Sequence, residues 1–125
     1  MELFKKLPDA EFEVMNAVWN NPAPVTTPVL MRAIGNKKGW RAPTLISFLV
    51  RLEDRGFIRS EKVGKERQYY PIVSRKAYMV QLTRRFLKQY HGGSLMSFLD
   101  NLAGDSGITT EQYDELLEWL KSCEF

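Results

Sequence analysis

Leu45, Phe48, Leu49 and Leu52 recur at helical spacing, and Gly56 stops that run just before a pattern of a different period begins. Phe57–Val63 and Arg67–Ile72 read as two strands around a turn containing Gly64. A one-sided helix that feeds directly into a hairpin can be buried in few ways. Its apolar side must face the rest of the chain, which leaves Arg41, Thr44, Ser47, Arg51 and Arg55 on the other side.

The elements before it supply the packing partners. Asp9 is expected to cap a first helix, with Leu7, Ala10, Val14 and Val18 on one face and Phe12, Met15 and Trp19 widening it. Asn20 to Pro24 breaks that helix, and Val25-Thr26 reads as a short edge strand. Thr27-Pro28 opens a second helix expected to run to about Ile34 and to stop at Gly35. The third runs from about Ala42 to Gly56. Three helices and a terminal hairpin within residues 1–73 describe a mainly α chain with an N-terminal winged helix-turn-helix.

Residues 74–125 read as a helical region. Ser74 opens a helix to Tyr90, ended by His91-Gly92-Gly93; Ser94 begins another; Thr109 and Gln112 have capping-box spacing for a last one. Their apolar residues exceed what a small winged module can cover. Tyr78, Leu82, Phe86, Leu95, Phe98, Leu99, Leu102, Leu116, Leu117 and Leu120 are therefore expected at a dimerisation face against a second copy.

Charge separates the same two regions. Residues 1–75 carry 13 Lys and Arg against 8 Asp and Glu, and residues 76–125 carry 5 against 7. Within Arg32–Arg67 there are 10 basic and 4 acidic residues, so the net charge of +3 hides a positive half. That asymmetry points to a polyanion, and double-stranded DNA is the partner expected for a helix and ribbon of one sign. Thr44 and Ser47 share a helix face and are candidates for base edges. Arg41 stands just before the helix, for guanine or phosphate, while Arg51 and Arg55 are placed for phosphates. Lys62, Lys65 and Arg67 surround the hairpin tip, with Glu61 and Glu66 diluting their field. Trp40 either packs beneath the helix or offers its indole N–H to a phosphate.

An enzyme is not expected. His91 is the one histidine and sits at a helix end. No phosphate-binding Gly-rich loop, nucleophile elbow or ligand cluster occurs. Cys123 is the single cysteine, which excludes an internal disulfide and a multi-cysteine metal site, and no cofactor is implied. No window has the apolar length to span a bilayer, and Met1–Lys6 does not read as a signal peptide. A soluble, cytoplasmic protein without membrane insertion is the expectation.

Nearly the whole chain resembles the penicillinase-repressor family, which includes β-lactamase, methicillin-resistance and copper-transport repressors. The resemblance is carried by Leu7-Pro8-Asp9-Ala10-Glu11-Phe12-Glu13-Val14-Met15, Val18-Trp19, Trp40, Thr44, Leu49, Arg51-Leu52, Arg55-Gly56, Gly64–Pro71, Phe86-Leu87 and Gly92-Gly93-Ser94-Leu95. It implies a homodimer whose winged helices bind a palindromic operator, with Thr44 matching a base-contacting threonine. Family members often carry a lysine just before that threonine, where this chain has Pro43, with Arg41 the nearest charge. In the β-lactam branch a protease cuts an Asn-Phe bond. The aligned pair here, after a one-residue gap, is Ser97-Phe98; the phenylalanine is retained but the asparagine is not, so the residues favour a dimer-core role for Phe98, with cleavage by a sensor protease as the alternative. The copper branch uses several C-terminal cysteines, which Cys123 alone cannot match. The rival from another class is a winged-helix module that docks a protein partner, distinguished by an apolar patch instead of arginines on the third helix.

Overall fold

Pro8, not Asp9, takes the cap position of α1 (Asp9–Trp19) in the computed structural model, which describes residues 4–123. Asp9 and Glu11 stand in the first turn, where carboxylates oppose the positive end of the helix dipole. β1 (Val25–Thr26) is the expected edge strand, and Pro28 lies at the start of α2 (Thr27–Leu30), where a missing N–H costs nothing. The chain does not stop at Gly35. It passes through a π-helical turn, Met31–Gly35, into α3 (Asn36–Lys38). Gly35 is buried in ordinary helical conformation, and a Cβ there would lie 2.6 Å from the Met31 Sδ, so this glycine makes room. Gly39 makes the stop instead: at φ 71° it lets its own N–H reach the Asn36 carbonyl and the Trp40 N–H reach the Gly35 carbonyl.

α4 (Ala42–Asp54) is the third helix of the sequence reading. Its last turn closes in the same way, with Gly56 at positive φ and the Phe57 N–H on the Leu52 carbonyl. That closure drops Phe57 into the core and starts β2 (Ile58–Val63). β3 (Glu66–Pro71) returns with Val63 opposite Glu66, so Gly64-Lys65 is a two-residue turn whose positive φ falls on glycine. The antiparallel sheet has the order β1-β3-β2. Leu45, Leu49 and Leu52 join Val14, Met15, Val18, Leu30, Phe57, Ile58 and Tyr69 in one buried cluster. This is a winged helix-turn-helix, followed by helices.

α5 (Arg75–His91) begins on that core, which corrects two expected dimer residues. Tyr78 is 2% exposed, its ring lies 5.4 Å from Phe57, and its hydroxyl accepts the Leu7 N–H at 2.8 Å. Leu82 is half-buried against the same cluster. The first turns of α5 therefore complete the winged module, and the first compact unit extends to Leu82, past the expected end at residue 73.

From Thr83 onward the described residues form a second unit: the rest of α5, α6 (Leu95–Ala103) and α7 (Thr110–Ser122). Ser94 caps α6, and the Thr109–Gln112 capping box of α7 forms both of its bonds. Phe86, His91 and Phe98 cluster by their rings, and His91 Nδ1 lies 3.0 Å from the Ser97 Oγ. The Ser97-Phe98 bond is thus inside a helix, between two half-buried side chains. No described hydrophobic side chain in this unit is fully buried. Leu95, Leu102, Tyr113, Leu117, Trp119 and Leu120 are all exposed, whereas Leu99 and Leu116 are half-buried.

Candidate nucleic-acid interface

α4 turns three kinds of surface outward. Its buried side is Leu45, Leu49 and Leu52, so residues half a turn away face solvent. Pro43, Ser47 and Val50 lie along the middle of that open side. Thr44 and Arg51 lie on one flank, where the Arg51 guanidinium stands 5.9 Å from the Phe48 ring. Ile46 and Glu53 lie on the other flank, toward the wing. Arg41 is exposed in extended conformation just ahead of the helix. Trp40 is half-buried with its ring 5.0 Å from Phe48, which supports packing beneath the helix over an indole aimed at solvent.

The wing has two chemically different faces. Cross-strand partners in an antiparallel ladder share a face, and neighbours along a strand alternate. Ser60, Lys62, Arg67 and Tyr69 share the side toward α4, because Ser60 pairs with Tyr69 and Lys62 with Arg67. Arg59, Glu61, Glu66 and Tyr70 share the reverse side. There the Arg59 guanidinium covers the Tyr70 ring at 4.1 Å, and the Tyr70 hydroxyl donates to Glu61. Glu61 therefore lies off the face of Lys62 and Arg67, whereas Glu66, next to the turn, borders a pocket with Lys65, Arg67, Thr27 and Pro28. Lys62 directly opposite Arg67 is unfavourable unless an anion lies between or above them.

Between α4 and this wing face runs an open groove of about 480 Å³, lined by Thr27, Ile46, Leu49, Val50, Glu53, Ser60, Lys65, Arg67 and Tyr69. A chain of bonds crosses it: the Arg67 guanidinium donates to the Ser60 hydroxyl at 2.9 Å, and that hydroxyl donates to Glu53. It ties wing to helix and leaves the remaining Arg67 N–H groups for other acceptors. Burial pushes the Tyr69 phenol up from its ordinary value, so it stays protonated at neutral pH.

Of the predicted residues, Arg41, Thr44, Ser47, Arg51, Lys62, Lys65 and Arg67 are exposed on the outward surface of α4, its approach or the wing. Arg55 is partly committed elsewhere. Its Nη1 lies 2.7 Å from Glu11 Oε1, and Glu11 is a carboxylate only 3% exposed on α1. A buried carboxylate requires a partner, so one side of this guanidinium is committed to joining two helices, a role the sequence alone does not give it. Lys38 is similarly paired with Glu13, at 2.8 Å. Ile46 and Val50 were not among the predicted site residues, yet they are 42% and 54% exposed beside the groove. Their one-turn spacing was visible, but the sequence pattern places them on neither face of the helix.

Among the described residues no helix is long and apolar enough to cross a membrane, and no group of three or more His, Cys, Asp or Glu is placed to hold a metal ion.

Comparison with known proteins agrees with this architecture. The sequence model of the penicillinase repressor family matches residues 7–122. The penicillinase repressor of Bacillus licheniformis is 27% identical over 120 residues, covering 94% of this chain and 93% of that one. The methicillin resistance regulatory protein MecI of Staphylococcus aureus is 25% identical over 111 residues, covering 89% of each. The solution structure of the DNA binding domain of the repressor BlaI superposes with a TM-score of 0.54 at 26% identity, covering 62% of this chain and 94% of that one. Taken with the winged fold, these matches mean that the chain belongs to the penicillinase repressor family.

Proposed function

We propose that two copies of this chain form a transcriptional repressor that binds a palindromic operator in duplex DNA. DNA-binding repression is the function family membership supports, since the relatives are repressors and the matched solved domain is a DNA-binding one. The observation that carries the reading to particular residues is the division of the wing. Lys62 and Arg67 share the side of α4, with Lys65 at the tip, while Glu61 lies on the reverse face. In this reading α4 enters the major groove, Thr44 and Ser47 meet base edges, Arg41 and Arg51 hold flanking phosphates, and the wing follows the backbone. Trp40 supports the helix from below.

The homodimer rests on the second unit. A segment with exposed Leu95, Leu102, Leu117, Trp119 and Leu120 and no fully buried hydrophobic side chain gains a core by pairing with its copy. Phe86, Phe98, Leu99 and Leu116 extend that surface. An inverted repeat is then the matching DNA symmetry, with half-sites set one helical turn, or multiples, apart. Selection of binding duplexes from a random pool with the intact protein should enrich such a repeat. Enrichment of lone half-sites would rule out the two-fold arrangement.

Thr44→Ala supplies a residue-level test. Each lost base contact should narrow the ratio of selected-site to random-duplex affinity by about tenfold, with random-duplex affinity nearly unchanged. An unchanged ratio would remove Thr44 from base readout.

A protein-docking role is the second reading, and exposed Ile46 and Val50 are the observation that favours it. Lys65 and Arg67 line the groove with that pair, and exposed Arg51 and Arg41 stand on the other flank of α4 and just ahead of it; such a surface fits a polyanion better than an apolar protein patch.

A further inference from the structure

Resting on the DNA-binding reading, we infer that Ile46 and Val50 form a methyl-reading edge, and that this protein recognises thymine at defined positions of each half-site through the C5-methyl group. The two side chains are one helical turn apart on α4, are 42% and 54% exposed, and line the groove toward the wing. Neither completes the core, which Leu45, Leu49 and Leu52 fill from the opposite side of the helix. An aliphatic pair left in water on an interaction surface marks what that surface binds.

The surroundings decide what kind of apolar group arrives. Arg41 and Arg51 lie toward one side of the pair, and Lys65 and Arg67 line the same groove, with Glu53 engaged by the Ser60 hydroxyl. A cationic rim around an apolar strip matches a polyanion that carries an apolar feature. In the DNA major groove that feature is the thymine methyl, since the other base edges there present hydrogen-bond donors and acceptors. Ile46 and Val50 have no polar atom with which to read those edges, so their contribution to specificity has to come through the methyl. Ser47, beside Val50 along the middle of the open side of α4, supplies the neighbouring hydrogen bond.

The test uses the intact protein and the duplex that selection enriches. Each thymine of the half-site is replaced in turn by deoxyuridine, which removes the methyl and keeps the pairing. Loss of one buried methyl should weaken binding about fourfold per half-site at one or two thymines. At those thymines the penalty should disappear in Ile46→Ala or in Val50→Ala, because the side chain that felt the methyl is gone. Both residues are exposed, so the variants keep the core intact, and their unchanged thermal unfolding is the control. Deoxyuridine that is harmless at every thymine, or a penalty that persists in both variants, overturns the inference while leaving DNA binding in place. A selection that enriches no duplex overturns the DNA reading and this inference with it.

Discussion

Arg55→Ala is expected to destabilise the protein by about 3 kcal/mol, although the residue lies on the surface of a helix end. The effect comes from its partner. Glu11 is 3% exposed on α1, and Arg55 supplies the cation 2.7 Å from its carboxylate. Breaking a buried pair by removing one member leaves a charge without solvent or counter-ion, which costs about 3–5 kcal/mol. The lower end applies because the Arg55 side chain keeps 33% of its exposure. For a unit of this size the thermal midpoint should fall by roughly 12–20 °C. Replacing both residues with leucine should recover much of that loss, since neither charge then remains. A single variant that unfolds within about 2 °C of the parent would show the pair to be incidental.

DNA affinity should fall about 10⁴-fold between 50 and 200 mM salt. Arg41, Arg51, Lys65 and Arg67 of two subunits would neutralise about eight phosphates, giving a slope near −7 in log affinity against log salt. Arg67→Ala should make that slope shallower by about 2, one phosphate for each subunit, and should weaken all duplexes alike. Arg59→Ala is the matched control, because Arg59 lies on the reverse face of the wing over Tyr70. Its slope should match the parent's. A larger change for Arg59 than for Arg67 would turn the wing over.

Element order was legible because each boundary carries local chemistry. Gly56 and Gly64 sit at positive φ where the pattern requires a stop and a turn, and Thr109 with Gln112 forms its capping box as spaced. The failures are long-range. Glu11 and Arg55 are separated by 44 residues, and no local pattern shows that a surface-like arginine is claimed by a buried carboxylate. Tyr78 looked like a helix stripe residue, and only the tertiary fold reveals Leu7 and Phe57 around it. Gly35 reads in the sequence as the stop of the second helix, but its backbone stays helical against the Met31 side chain, and Gly39 takes the positive φ that ends the run. The two wing faces, by contrast, were available from simple alternation: Glu61 and Lys62 are neighbours along a strand and must point apart. Ile46 and Val50 belong to neither the apolar face nor the polar one in the sequence, because an amphipathic pattern does not reveal how wide the buried arc is.

The DNA-reading face is tested most directly by mapping backbone amide shifts of the intact protein by NMR as the selected duplex is added. Changes are expected to concentrate at Arg41–Arg51 and at Lys62–Arg67, with the Arg59, Glu61 and Tyr70 amides moving little. Shifts centred on α1 or on the reverse face of the wing, with α4 silent, would contradict the assignment of α4 and the wing to DNA.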